Sequence, residues 1–148
     1  MTKPKLIQGN FFNDERGILS FVNEFNFLEK KIQRFYIVKN YQNNFIRAWH
    51  GHEEESKFVY CLNGSAKVCC VKIDNFNKPN KNEKIYSFNL NENKPSIVFV
   101  PKGYANGFMN TEPNTKLMFL SDKSLEQSKK DDFRYEYDFW NPWKINFY

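Results

Sequence analysis

No stretch of this chain repeats apolar residues at helical spacing over three turns. Short runs rich in β-branched and aromatic residues recur instead at near-regular intervals, divided by clusters of Asn, Gly, Pro and Asp. That pattern argues against a helical domain and predicts eight to ten short strands, packed as a double sheet or closed as a barrel. Strands are expected at 18–22, 33–39, 45–52, 57–62, 65–73, 85–90, 96–100, 107–110 and 115–121. A turn carrying Asp14 and Gly17 leads into the first, and 25–31 reads as one short helical turn or a loop. Asn63-Gly64 carries the strongest two-residue hairpin signal, leading into 65–73. The polar segment 74–84 is expected to be an exposed loop.

A chain of 148 residues is expected to form one domain, 1–148, burying about 70% of the surface it exposes when unfolded. Hydrophobic residues at 41% and aromatics at 18% argue against disorder. The tail, about 128–148, mixes charge with Trp140, Trp143, Phe147 and Tyr148, and is expected to pack back onto the body or a partner chain. No run of about 18 apolar residues is present and residues 1–8 lack a signal-peptide core, so no membrane association is expected and the location expected is the cytoplasm. Cys61, Cys69 and Cys70 alternate with apolar residues and read as small buried hydrophobes. The formal charge of +5 comes from lysines scattered through Asn-rich turns, without a basic helix or an aromatic-Gly RNA motif. A small anionic ligand is therefore expected rather than nucleic acid.

Both histidines of the chain, His50 and His52, fall two residues apart within 46–64. In a strand that spacing points both imidazoles to one face. The stretch resembles the first cupin motif, in which His-x-His is followed by a Glu and then a Gly, but Lys57 stands at the glutamate's place before Gly64. The second cupin motif is resembled by Pro101 to Asn110, with Asn106 where the third metal histidine would be. A transition-metal site needs about three N, S or carboxylate ligands, and a lysine beside two imidazoles repels a divalent ion. No metal or other cofactor is expected, although Glu53 to Glu55 could offer a carboxylate. Two His, a Lys and an Arg within the eleven residues 47–57 point to a site more than to barrel filling.

Phe12-x-Asp14-Glu15-Arg16-Gly17, Ile46-Arg47-Ala48-Trp49-His50, Lys57-x-Val59 and Val100-Pro101-x-Gly103-Tyr104-Ala105-Asn106-Gly107-Phe108 together resemble the dTDP-4-keto-6-deoxyglucose (dTDP-4-dehydrorhamnose) 3,5-epimerase family. The resemblance implies an all-β cupin fold, a double-stranded β-helix or jelly-roll barrel. It implies a homodimer that exchanges strands near the N-terminus, acting on a nucleotide-linked 4-ketosugar in deoxysugar and surface polysaccharide biosynthesis. His50 would remove a proton beside the ketone and Lys57 would stabilise the enolate oxygen. Arg16 and Arg47 match arginines that hold the pyrophosphate, and Asn40 matches a polar residue of the sugar pocket. Asn106 and Tyr104 complete the expected substrate-binding set.

Three departures accompany the match. Phe119 falls where the family has a proton-donating tyrosine, leaving Tyr36, Tyr60, Tyr104 or water as the acid. Asn106 replaces a histidine near the sugar. The aspartate that orients the base comes from a C-terminal segment in the family, and the chain stopping at Tyr148 is expected to orient His50 in another way. Nucleotide-sugar 3,4-ketoisomerases are the alternative, since His50-Gly51-His52 and Arg34-Phe35-Tyr36-Ile37 resemble their motifs and His52 would then handle a proton. A non-catalytic cupin that binds sugar nucleotides is a third reading.

Overall fold

Two-residue alternation sorts the side chains of each strand between layers. Along Lys57–Asn63, Val59 and Cys61 enter one cluster while Phe58 and Tyr60 pack in another. Along Thr115–Ser121, Leu117 and Phe119 join Val59 while Met118 and Leu120 join Phe58. Opposite faces of a pleated strand thus serve two apolar layers.

The computed structural model describes residues 2–144. In chain order its elements are β1 (Lys5–Gln8), β2 (Asn10–Asp14), β3 (Gly17–Phe21), β4 (Arg34–Asn40), β5 (Ile46–His52), β6 (Lys57–Asn63), β7 (Ser65–Lys72), β8 (Ile85–Asn91), β9 (Ser96–Val100), β10 (Tyr104–Asn110), β11 (Thr115–Ser121), α1 (Leu125–Lys129) and β12 (Phe133–Arg134). One sheet runs β1-β9-β6-β11-β4 and the other β12-β5-β10-β7-β8, while β2 and β3 pair only with each other. This is the cupin jelly roll. Its central core holds Val59, Cys61, Val68, Cys70, Val98, Leu117 and Phe119 between the sheets.

The outer face of the second sheet is covered by the tail. Trp140 and Trp143 pack on Trp49, Val71 and Met109, and the buried Trp49 indole donates to the carbonyls of Tyr137 and Trp140 at 3.0 Å. The tail therefore packs on the body of its own chain as far as it is described; Phe147 and Tyr148 lie outside the described residues. All three cysteines are free and buried. Burial pushes the Cys61 thiol up to about 12. No helix among the described residues is long and apolar enough to cross a membrane.

Asn63-Gly64 is not a hairpin. Strands β6 and β7 belong to different sheets, so the chain turns a corner there with Gly64 at φ +82°. A Cβ on Gly64 would lie 2.3 Å from Thr115 Oγ1, so the same glycine that suggests a tight turn is required by close approach to β11. Strands β1, β2 and β12 and the helix α1 were absent from the sequence reading. The helix starts from a capping box of Ser124 and Gln127, a local signal that stands without an apolar periodic run behind it. Strand β10 begins at Tyr104, three residues earlier than expected, and this places Asn106 on a strand.

Candidate active site

The same alternation that builds the core carries polar side chains into one end of it. Lys57 shares the inward face of Val59 and Cys61, and Tyr36 shares that of Val38 on β4. From β5 both Arg47 and His50 reach the cavity, although two residues, Ala48 and Trp49, separate them. The reason is a β-bulge: Phe108 pairs with Arg47 and Asn106 with His50, so two residues of β10 span three of β5. Ala48 and Trp49 both turn to the outer cluster. Gly107 sits against this bulge, where a Cβ would lie 2.5 Å from Ala48 Cβ. Gly107→Ala is expected to cost about 1–3 kcal/mol through overpacking, read as a lowered urea midpoint.

Tyr36, Val38, Arg47, His50, Lys57, Asn106, Phe108 and Phe119 line a cavity of about 180 Å³. That is below the roughly 300–1,000 Å³ of a site enclosing a drug-sized ligand, so it can enclose a single sugar-sized ring, with larger appendages outside. Lys57 is 7% exposed and its Nζ donates to the Tyr36 hydroxyl at 2.9 Å. Because an ammonium only donates, the phenolic hydrogen of Tyr36 is left for another acceptor. Among the described residues no carboxylate lies within ion-pair distance of Lys57. The Tyr36 ring stacks on Phe119 at 5.1 Å and 3°, its register partner on β11. The hydroxyl missing from Phe119 is thus present one strand away.

Burial pushes His50 down to about 4, with Lys57 and Arg134 adding to the effect and Asp132 opposing it. Its imidazole is neutral at pH 7 and able to accept a proton. Asp132 and Arg134 come from the C-terminal segment, where Arg134 of β12 pairs with His50 itself. Asp132 acts on His50 through its charge alone, its carboxylate accepting from Arg134 Nε at 3.1 Å. Asn106 donates from Nδ2 to the His50 carbonyl at 3.3 Å.

The other expected site residues do not line the cavity. Asn40 is buried and accepts from Arg47 Nε at 2.7 Å, while its own Nδ2 donates to Asn110 Oδ1 at 3.3 Å. It holds the arginine more than it lines the cavity. His52 is buried and does not line the cavity, its pKa lowered by burial and then by Lys57. Tyr104 is a core residue beside Tyr86, and Tyr60 packs on the outer face of the first sheet. Arg16 lies on the β2–β3 turn with its side chain 84% exposed and paired to Asp14 at 2.7 Å, so one chain alone does not bring it to the cavity. Arg34, Glu55 and Asn110 stand in the sequence only as members of motifs or of an acidic run, and neither their contacts nor those of Asp131 are announced there. No group of three or more His, Cys, Asp or Glu suited to a metal occurs among the described residues.

A family model described as dTDP-4-dehydrorhamnose 3,5-epimerase matches residues 2–143. Among solved structures, the dTDP-4-dehydrorhamnose 3,5-epimerase of Bacillus anthracis, with TDP and PPi bound, superposes with a TM-score of 0.78 at 20% identity, covering 97% of this chain and 86% of that one. A 3,4-ketoisomerase from Helicobacter canadensis gives 0.71 at 21% identity, covering 94% and 96%. The TDP-quinovose 3,4-ketoisomerase of Campylobacter jejuni gives 0.68 at 20% identity, covering 94% and 98%. No curated protein matches the chain. At such identities the superpositions establish the fold, whereas the family model spans every residue that lines the cavity. The chain belongs to the dTDP-4-dehydrorhamnose 3,5-epimerase family.

Proposed function

We propose that the chain is an isomerase that inverts carbon 3, carbon 5 or both of a nucleotide-linked 4-keto-6-deoxy sugar, in deoxysugar and polysaccharide biosynthesis. One observation carries this reading: a buried ammonium without a carboxylate partner among the described residues stands in the same cavity as a neutral histidine and a tyrosine hydroxyl. His50 takes the proton from the carbon beside the ketone, the C–H electron pair moves into the new C=C bond, and the ketone oxygen becomes an enolate held by Lys57. Return of a proton to the opposite face inverts the centre. Tyr36 supplies it, and the hydrogen bond from Lys57 stabilises the phenolate left behind until solvent reprotonates it. The TDP and PPi bound to the Bacillus anthracis epimerase support a nucleotide diphosphate outside the small cavity, where Arg47 stands at the edge.

The test is incubation with dTDP-4-keto-6-deoxyglucose in heavy water, followed by NMR. Deuterium at carbon 3 or 5 with the ketone still on carbon 4 supports the epimerase, and a chelator is expected to leave the rate unchanged. In Tyr36→Phe, deuterium exchange should persist while net inversion slows about 10²-fold; equal loss of both would remove Tyr36 from the acid's role. One observation favours a second reading, the 3,4-ketoisomerase: with Phe119 lacking a hydroxyl, the only hydroxyl among the described residues lining the cavity is that of Tyr36, and it is bound to Lys57, the group that would hold the ketone oxygen. A ketone moved to carbon 3 would establish it. Binding without exchange or rearrangement would leave the non-catalytic reading.

The working unit we infer is a homodimer. Phe12, Ile18 and Leu19 on the β2–β3 hairpin and Phe35 and Ile37 on the outer face of β4 are exposed, more apolar surface than a small monomer leaves in water. A second copy covering the hairpin would bring Arg16 toward its partner's nucleotide. Sedimentation is expected to give twice the chain mass at micromolar concentration, and a monomer there would reject the arrangement. Three free buried thiols suit a reducing compartment such as the cytoplasm.

A further inference from the structure

Glu53-Glu54-Glu55 reads as a solvated acidic turn, yet Glu55 is 1% exposed. Its carboxylate lies where four elements meet. Ser128 Oγ of α1 donates to Oε1 at 2.9 Å, Ser121 Oγ of β11 donates to Oε2, and Arg34 Nη2 of β4 donates to Oε2 at 3.2 Å. His52 Nδ1 of β5 lies 3.4 Å from Oε1. The backbone of this turn is fixed as well. Asp131 accepts from the amides of Glu53, Glu54 and Glu55 at 2.7, 2.9 and 3.0 Å, and its carbonyl oxygen lies 2.6 Å from His52 Nδ1.

Both oxygens facing Nδ1 can only accept, one being a carbonyl and the other a carboxylate. Nδ1 therefore carries the hydrogen, and in a neutral ring Nε2 is left with a lone pair. His52 is 4% exposed, and Nε2 is buried without a hydrogen-bond partner among the described residues. Buried polar atoms are rarely left so. The charged and titratable groups around the ring are Glu55, Asp131, Lys57 and His50, with Arg34 reached through Glu55.

We propose that Glu55 is a positioning residue: with the Asp131 carbonyl it locks His52 in the Nδ1–H form and keeps the lone pair on Nε2. The effect on turnover rests on the nucleotide-sugar reading. The locked tautomer does not.

The tautomer can be read directly, because the chain has two histidines and His50→Asn assigns their signals in a long-range proton–nitrogen NMR correlation. Wild-type His52 is expected to show the Nδ1–H pattern at neutral pH. In Glu55→Gln it should become a mixture of tautomers, with kcat on dTDP-4-keto-6-deoxyglucose lowered about 10- to 100-fold and KM little changed, and Glu55→Asp should recover part of both. A residue that merely holds the turn together would lower the unfolding temperature and leave the tautomer alone. If Glu55→Gln does not fold because the Arg34 charge is left buried, the double variant Arg34→Gln/Glu55→Gln is read in the same way. An Nε2–H pattern in the wild type, or an unchanged tautomer in the glutamine variants, overturns the proposal. A wild-type protein with the Nδ1–H pattern, lost in Glu55→Gln, but no turnover of any 4-ketosugar nucleotide would sink the enzymatic reading and leave the positioning role standing.

Discussion

His50→Ala is expected to lower turnover of the 4-ketosugar nucleotide about 10⁴-fold, the upper end of what a positioned acid or base contributes. Deuterium exchange beside the ketone should disappear with it, while TDP still binds. The two readouts separate because His50 lines the sugar-sized cavity together with Lys57 and Tyr36, whereas Arg47 is held at its edge by Asn40. Exchange at the wild-type rate in this variant would exclude His50 as the base.

The pH profile follows from the same residue. Burial, Lys57 and Arg134 hold His50 down to about 4, so the imidazole stays unprotonated through the range in which an ordinary histidine, near 6.5, would take up a proton. A base works only while unprotonated, and its activity is lost as pH falls through its folded pKa. The acid limb of kcat/KM is therefore expected near pH 4, provided the fold survives there, with little change between pH 5 and 7. An acid limb at 6.5 would mean that the base is not in the buried environment described.

What the sequence made legible was whatever is written in local alternation. Strands β9 and β11 were expected at their observed bounds, and β6 within one residue, because their alternate positions serve two apolar layers. Lys57 and His50 could both be singled out by the motifs they belong to. The features that went unread depend on contacts distant in sequence. Two-residue β12 exists only because β5 lies beside it, and nothing in Phe133-Arg134 alone announces a strand. The bulge that lets Arg47 and His50 share a cavity is visible only in the pairing with β10. Glu55 looks like its neighbours Glu53 and Glu54 until Arg34, Ser121 and Ser128 close around it. Asn63-Gly64 misled because a positive-φ glycine is equally suited to a hairpin and to a corner between sheets.

Lys57→Met should separate the two jobs of the buried ammonium. Methionine keeps much of the stem's volume and removes the charge, so the cavity is expected to persist. The first job proposed for it is to hold the negative charge that develops on the ketone oxygen, in a site where water is largely excluded; losing one such preorganised donor costs about 10²–10³-fold in kcat. The second is electrostatic pressure on the base. Lys57 is the second cause, after burial, of the lowered pKa of both His50 and His52. Removing it should let His50 bind a proton more readily, and the acid limb of the pH profile should move up from about 4 while remaining below 6.5, because burial and Arg134 still act. Slower turnover and a higher acid limb in one variant require that the lost charge faces both the substrate oxygen and the base. A slower enzyme with an unmoved limb would place Lys57 at the oxygen alone, and a moved limb with unchanged kcat at optimal pH would deny it the enolate.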